Sequence, residues 1–250
     1  MTKLSVNVNK VALLRNSRKG QVPSVTKAAR LCLEAGAHGI TVHPRPDQRH
    51  IRTGDVHDLA QLLARPEYEH AEYNIEGNPF GEGFLELVEA AKPHQCTLVP
   101  DAPDQATSDH GWDLAADGAR LRPVVRRLKA AGCRVSLFMD PEPERIARVV
   151  DTGADRIELY TESYAVAHAR GGAERERSLA AFRGAAESAQ KLGLGVNGGH
   201  DLNLDNLADF VTIPDILEVS IGHALVADAL EFGLPATVRA YLERVSRAAR

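Results

Sequence analysis

Eight short β-rich runs recur along the chain, and segments with helical apolar spacing separate most of them. The runs are LSVNV (4–8), GITVH (39–43), EYNIE (72–76), CTLVP (96–100), RVSLFM (134–139), RIELYT (156–161), LGVNG (194–198) and ILEVSI (216–221). Strands that alternate with helices favour parallel β/α units. Eight such units in 250 residues predict a closed (β/α)8 TIM barrel. Because no linker interrupts the pattern, the sequence predicts one barrel domain over residues 1–250.

Several segments between these runs are expected to be helical. Ser24 is the predicted N-cap of SVTKAARLCLEAGA, with Gly36 ending it, and Pro123 should lie near the first turn of DGARLRPVVRRLKAAGC or kink it. PEPERIARVVDTGA and ERSLAAFRGAAESAQKLG show the same helical spacing. Residues 100–116 and 161–176 are candidates for loops that close over an active site.

The side-chain alternation within the runs indicates which face points inward. Val6 and Val8 share one face of the first run, while Ser5, Asn7 and Asn9 share the other. The same alternation recurs in ITVH, YNIE, IELY and EVSI. Since the apolar faces must pack against the outer helices, the sequence predicts an unusually polar barrel interior.

Composition excludes several classes of protein. The net charge is −4 and no run of lysine or arginine suggests a nucleic-acid surface. No apolar stretch approaches 18 residues, so no membrane span is expected, and the first ten residues lack the apolar region of a signal peptide. Cys32, Cys96 and Cys133 are far apart and form no CxxC pair, which favours a reducing cytoplasm.

Titratable side chains follow four of the predicted strands. They are His43, Glu76, His200 and His223. Barrel enzymes carry their chemistry at the carboxyl ends of the strands, so these groups suit general acid–base catalysis. Each could instead be a structural residue satisfied by a hydrogen bond. The same four could also hold a divalent cation, as in a metal-dependent hydrolase or aldolase, although HExxH and carboxylate-rich strand ends are missing from the sequence.

Glycine-rich and basic segments indicate phosphate binding. NGGHD and SIGHALVADAL follow the last two strands, where barrel enzymes often bind phosphate with backbone N–H groups and a helix N-terminus. Tight turns are the alternative. Two basic patches, one with Arg15, Arg18 and Lys19 and one with Arg45, Arg49 and His50, suit substrates with more than one phosphate.

The chain also resembles the pyridoxine 5′-phosphate synthase family. The matching blocks, in order, are VNVNKVALLRNSR, GAHGITVHPRPDQRHI, YNIEGNP, TLVPD, VSLFMD, IELYTESYA, LGVNGGHDL and VSIGHALVADAL. The resemblance implies a cytoplasmic (β/α)8 barrel with extra helices that assembles into a homo-octamer. It implies that 1-deoxy-D-xylulose 5-phosphate condenses with 3-amino-2-oxopropyl phosphate to give pyridoxine 5′-phosphate, phosphate and water, without a metal or an organic cofactor.

The resemblance also assigns roles to residues. His43 and Glu76 match proton acceptors, and His200 matches a proton donor. Glu158 fits an inward carboxylate near the chemistry. The positions that match substrate-binding residues are Asn7, Asn9, Lys10, Arg18, Arg45, His50, Thr107, Asp201, Gly222 and His223.

Three of these blocks depart from the family. The family usually has Asp-His in place of Asn9-Lys10 and Gly in place of both Glu162 and Asp201. Asn9-Lys10 leave a non-catalytic phospho-ligand binder as a further alternative. A carboxylate beside a phosphate would repel it, so Asp201 is expected to point away, and either Asp201 or Asn203 is expected to cap a short helix starting in DLNLDNL. If it lay near His200 instead, it would favour the imidazolium.

Overall fold

The computed structural model describes residues 1–247, and its eight strands form one closed parallel barrel in sequence order, from β1 to β8. The strands are β1 Lys3–Asn7, β2 Gly39–Val42, β3 Glu72–Gly77, β4 Gln95–Leu98, β5 Arg134–Met139, β6 Arg156–Tyr160, β7 Gly195–Gly199 and β8 Ile216–Ile221. β8 pairs in parallel with β1 and closes the barrel. Every predicted run therefore overlaps a strand, and the predicted TIM barrel is confirmed.

Helices surround the barrel. They are α1 Asn9–Asn16, α2 Val25–Glu34, α3 Thr53–Leu63, α4 Phe84–Ala91, α5 Leu114–Ala130, α6 Pro143–Ile146, α7 Glu162–Arg170, α8 Gly172–Lys191, α9 Leu207–Phe210, α10 His223–Phe232 and α11 Leu234–Arg247. Ser24 caps α2 as predicted, because its hydroxyl accepts the backbone N–H of Lys27 at 3.2 Å. Within residues 1–247, no helix combines the length and the apolarity that crossing a membrane requires.

Three local predictions need correction. α5 begins at Leu114, where Asp113 accepts the N–H of Ala115, so Pro123 lies inside the helix and not in its first turn. The segment 143–152 is only one turn of α-helix followed by a 3-10 helix. Residues 161–176 are mostly the helices α7 and α8, so this candidate closing loop is helix instead.

The predicted alternation of faces holds. Val6, Ile40, Ile75, Leu159 and Val219 are fully or almost fully buried in the hydrophobic core between the strands and the helices. Burying such side chains contributes about 1.5–3 kcal/mol each, which makes this layer the main stabilising element of the barrel.

Polar side chains fill the barrel interior. Ser5 and Thr41 share a hydrogen bond of 2.7 Å, the Asn74 amide donates to Thr41 at 3.4 Å, and Thr97 donates to Asn74 at 3.1 Å. Each bond joins neighbouring strands, so these four side chains are linked across the first four strands of the barrel. The interior is thus a hydrogen-bonded core in place of the branched apolar packing of many barrels.

The amino end of the barrel is closed by charged pairs. Glu72 binds both Lys3 and Arg134, and these two cations lower the pKa of the Glu72 carboxyl to about 2. Burial raises the pKa of Glu218, which lies near the same charges. Because these charged side chains occupy the amino end, the open mouth of the barrel is at the carboxyl ends of the strands.

Candidate active site

The carboxyl ends of the strands bring three of the four titratable residues to one mouth. His43 follows β2, Glu76 is the second-last residue of β3, and His200 follows β7 directly. His223 is the first residue of α10, is exposed, and lies close enough for its charge to act on Asp201. Within the described part of the chain, no three His, Cys, Asp or Glu side chains are grouped as metal ligands would be.

His43 is buried and neutral. Its backbone N–H donates to the Asn9 side chain at 2.9 Å, which ties the start of α1 to the end of β2. Burial lowers the pKa of His43 well below its ordinary value, and the nearby charges of Arg45, His50 and Arg49 lower it further. An unprotonated imidazole at neutral pH is able to accept a proton.

His50 stands beside His43, with 6.1 Å between the ring centroids. The backbone N–H of Ile51 donates to its Nδ1 at 2.9 Å, so the neutral ring carries its proton on Nε2. Burial, followed by Arg45 and Lys10, lowers the pKa of His50 to about 4. His50 is therefore a neutral hydrogen-bond donor.

Two carboxyl groups lie in the barrel below the mouth. Desolvation raises the pKa of Glu76 to about 8, and the charges of Asp101 and Glu218 contribute. Burial likewise raises the pKa of Glu158, whose Oε2 has no hydrogen-bond partner in residues 1–247. The Asn7 amide donates to Glu76 at 3.4 Å. Glu76 therefore favours its protonated form at neutral pH, and the pKa of Glu158 is shifted in the same direction; a cation placed between them would favour their ionised forms.

His200 is held at both ring nitrogens. Its Nδ1 lies 2.6 Å from Oδ2 of Asp201, and its Nε2 lies 3.0 Å from the Thr107 hydroxyl. The ring packs edge to face on Tyr160 with centroids 5.3 Å apart. The predicted role of Asp201 as a helix cap is wrong. Asn203 accepts the N–H groups of Asp205 and Asn206 there, which leaves the Asp201 carboxylate to His200.

The long loop between β4 and α5 covers part of the mouth. Arg45 binds the Asp101 carboxylate and donates to the Gln105 carbonyl at 2.8 Å. Arg49 donates to the same carbonyl at 3.0 Å. Thr107, at the far side of this loop, contacts His200. The irregular segment predicted at 100–116 is therefore loop up to Asp113, and it links the basic patch to the histidine on the opposite side.

The two glycines before His200 have different neighbours. A Cβ on Gly198 would collide with the ring of Phe210 in α9, so close packing, and not an anion, accounts for this glycine. Gly199 faces the barrel interior, where a Cβ would collide with the Glu158 carboxyl. Gly222 precedes α10, and a Cβ there would lie 3.1 Å from the Asn7 side chain, so the glycine leaves room for Asn7.

Other expected binding residues are spread around the mouth. Lys10 lies near enough to His50 for its charge to act on that ring. Arg18 is exposed just beyond α1 and shows no side-chain hydrogen bond or ion pair in the part of the chain that the structure describes. A cavity of about 560 Å³ opens beside the mouth, lined in part by His43, Arg45 and Asp101.

One largely buried ion pair supports the site and corrects the basic patch predicted after β1, because Arg15 pairs with an aspartate and does not face the mouth as a phosphate ligand would. Arg15 in α1 binds Asp55 in α3 and donates to the His50 carbonyl at 3.1 Å. The amide of Asn16 donates to that same carbonyl at 2.8 Å. Arg15 shares the buried face of α1 with Val11 and Ala12, and an arginine on such a face is the signal that predicts a buried partner.

Solved structures with the same fold share little sequence with this chain. The structure of KGPDC from Streptococcus mutans has a TM-score of 0.68 at 12% identity, with each chain fully covered. Phosphoribosyl anthranilate isomerase from Thermus thermophilus has a TM-score of 0.57 at 13% identity, again with both chains fully covered. At these identities the likeness shows the barrel fold alone.

Sequence relatives are much closer. The pyridoxine 5′-phosphate synthase of Xanthomonas campestris pv. campestris (strain B100) is 58% identical over 248 residues, covering 96% of this chain and 95% of the relative. The enzyme of that name from Albidiferax ferrireducens is 56% identical over 252 residues, covering 98% of each. The family described as pyridoxal phosphate biosynthesis protein PdxJ matches residues 4–247. This chain therefore belongs to the PdxJ family of pyridoxal phosphate biosynthesis enzymes.

Proposed function

We propose that this chain is a pyridoxine 5′-phosphate synthase that joins 1-deoxy-D-xylulose 5-phosphate to 3-amino-2-oxopropyl phosphate. The products are pyridoxine 5′-phosphate, inorganic phosphate and water. The observation that carries the proposal is the grouping of His43, Glu76 and His200 around one barrel mouth with Arg45 and Lys10 nearby, in a chain of this family. Condensing an amine with a ketone and closing an aromatic ring needs several proton transfers, for which these groups are suited.

His43 and Glu76 are the proposed proton acceptors. His43 enters the reaction neutral because burial and neighbouring cations lower its pKa, so its free nitrogen lone pair is ready for a proton. Glu76 holds a proton before substrate binds, since its pKa is raised to about 8. A substrate ammonium or a protonated imine beside it favours the carboxylate, which then accepts a proton from carbon. Glu158, deeper in the barrel, adds a second carboxyl whose Oε2 is free to face that cation.

His200 is the proposed proton donor to the departing oxygen. Its Nε2 faces the mouth beside Thr107, and donation from this nitrogen lets water or phosphate leave as a neutral or less charged species. The loop that carries Thr107 reduces the access of water to reactive intermediates when it covers the mouth.

Two groups of residues are proposed to bind the two phosphates. Arg45, His50, Asn9 and Lys10 hold the deoxyxylulose phosphate on the β2 side, together with Thr107 from the loop that crosses the mouth. The aminoketone phosphate is held by Asn7, Arg18, Gly222 and His223, where the first turn of α10 presents free backbone N–H groups. Asp201 is kept from this second phosphate by its bond to His200.

Three further proposals concern the whole protein. A single barrel domain is supported by α10 and α11, which follow β8 and pack on each other and on α1, α2 and β1. A homo-octamer is supported by exposed apolar side chains on α1 and α10, among them Leu14, Leu230 and Phe232. A cytoplasmic location is supported by Cys32, Cys96 and Cys133, which are all unpaired and buried.

The test is incubation of the purified protein with both substrates, followed by absorbance and mass detection of pyridoxine 5′-phosphate. Product is expected only when both substrates are present, and its formation should survive EDTA. Binding of the substrates without product would favour a non-catalytic phospho-ligand binder. Loss of turnover with EDTA and its return with a divalent cation would favour a metal-dependent hydrolase or aldolase.

A further inference from the structure

His200 has a fixed partner on each ring nitrogen, and the two partners differ in what they can do. A carboxylate only accepts hydrogen bonds, whereas a hydroxyl both donates and accepts. With Oδ2 of Asp201 2.6 Å from Nδ1, that nitrogen must carry a proton. The hydroxyl of Thr107, 3.0 Å from Nε2, accommodates that nitrogen with or without a proton.

We infer that Asp201 is a positioning residue for His200, which keeps a proton on Nδ1 so that proton exchange with substrate occurs only at Nε2. The inference deepens the proposed function and rests on it for the role of His200 as a donor. When Nε2 donates its proton to the leaving oxygen, the ring becomes neutral in the Nδ1–H form. The freed lone pair on Nε2 then accepts the Thr107 hydroxyl, and no proton passes to Asp201.

The backbone conformation of His200 and Asp201 brings their side chains into this contact. His200 and Asp201 have φ values of 75° and 29°, in the left-handed region that side chains with a Cβ usually avoid. Thr161 donates to the His200 carbonyl at 2.7 Å, and the Asn206 amide donates to the Asp201 carbonyl at 3.1 Å. Neighbouring side chains in extended strands point apart, so this bend is what brings the carboxylate back onto the ring beside it.

The pair is too exposed to serve mainly as a stabilising ion pair. The side chains are 30% and 38% exposed, and ion pairs in contact with water contribute little to folding. The hydrogen bond from His200 lowers the pKa of the Asp201 carboxyl, which therefore stays ionised through the range of turnover. The Asp201 carboxylate therefore acts mainly on which nitrogen of the His200 ring carries a proton.

Other groups around the ring do not provide the same contact. Tyr160 makes an edge-to-face contact with the His200 ring, and its hydroxyl donates a hydrogen bond to Glu162 at 3.1 Å. The Glu158 carboxyl lies against Gly199 in the barrel interior. His223 contributes positive charge on the side of Asp201, and the charge of Asp109 reaches Tyr160 from the loop. Among the described residues, only Asp201 accepts a hydrogen bond from Nδ1.

The test is nitrogen-15 NMR of the histidine rings in the full-length protein without substrates. Wild type should show His200 in the Nδ1–H form when it is neutral, with Nε2 unprotonated. Asp201→Gly should fold, because glycine tolerates the left-handed backbone, and its His200 should change to the Nε2–H form that free imidazole side chains prefer. Asp201→Asn should retain the Nδ1–H form, since its amide oxygen still accepts that proton. Asp205→Asn, a nearby exposed aspartate, is the matched control and should match wild type.

Turnover supplies the second measurement. In Asp201→Asn the ring orientation remains, so kcat should stay closer to that of wild type than in Asp201→Gly, where the tautomer changes. An Nδ1–H ring that persists in Asp201→Gly would overturn the inference, as would equal losses of kcat in Asp201→Gly and Asp201→Asn. If wild type makes no pyridoxine 5′-phosphate while the tautomer still depends on Asp201, the proposed function fails and the positioning role stands.

Discussion

Replacing Glu76 by glutamine should stabilise the protein and abolish most of its turnover. Glutamine is nearly isosteric and stays neutral, so it resembles the protonated carboxyl that the desolvated site favours. The pKa of Glu76 rises from 4.5 to about 8 on folding, mainly because the group is desolvated. The native state therefore binds a proton more tightly than the unfolded chain, and stability falls as the pH rises from 4.5 through about 8.

The size of the effect follows from that shift. Each pKa step of one corresponds to about 1.4 kcal/mol, so ionising Glu76 in the folded state costs at most about 5 kcal/mol. Glu76 is partly exposed at the mouth, and its charge interacts with those of Asp101 and Glu158. Both effects reduce the cost of ionising Glu76 alone. We expect about 2 kcal/mol at pH 8.5, equivalent to a rise in Tm of about 4–8 °C for a chain of this size.

Thermal unfolding of both proteins between pH 5 and pH 8.5 measures this. The Tm difference should be close to zero at pH 5 and should grow steadily with pH, while kcat falls by about 10²–10⁴-fold because the proposed base is gone. Glu231→Gln, on the exposed face of α10, is the control and should follow wild type at every pH. Parallel Tm curves for Glu76→Gln and wild type would refute a raised pKa at Glu76, and undiminished turnover would remove Glu76 as a base.

Three other substitutions test the proposed phosphate-binding residues and the Arg15–Asp55 ion pair near the mouth. Lys10→Ala should raise the KM for 1-deoxy-D-xylulose 5-phosphate alone, and steady-state kinetics that instead show an effect only on the aminoketone would contradict its proposed place. His223→Ala should reduce the rise in Tm that inorganic phosphate gives wild type, since a ligand of the native state stabilises it; equal rises would remove His223 from the phosphate site. Arg15→Ala should lower the unfolding free energy by about 3 kcal/mol because the partly buried carboxylate of Asp55 loses its charged partner. Chemical denaturation that shows a loss below about 1 kcal/mol would mean that the pair is dispensable.

The strands are predictable because their physics is local. Val6 and Val8 alternate with Ser5 and Asn7, and this period of two survives in the structure as an outer apolar face and an inner polar one. The strand ends then place His43, Glu76 and His200 at one mouth without any knowledge of packing. Chain order and parallel pairing suffice for that part of the site.

What the sequence does not reveal depends on contacts between distant segments. Asp113 starts α5 one turn before the apolar pattern indicates, which moves Pro123 into the helix interior. A common capping pattern predicts Asp201 as a cap, yet the left-handed backbone after Gly199 turns its carboxylate onto His200. Nor does any local pattern reveal that Arg45 binds Asp101, which lies 56 residues along the chain.

The hydrogen-bonded interior of the barrel also determines how the strands can align. Ser5, Thr41, Asn74 and Thr97 find partners only when their strands are paired in the native register. A slip of one residue would turn these polar groups against the apolar helices and bring valine and isoleucine into the centre. An apolar interior would tolerate such an error, because one branched side chain can substitute for another. Here a misaligned strand among the first four leaves unpaired polar groups, so the polar interior selects the native register when the barrel closes.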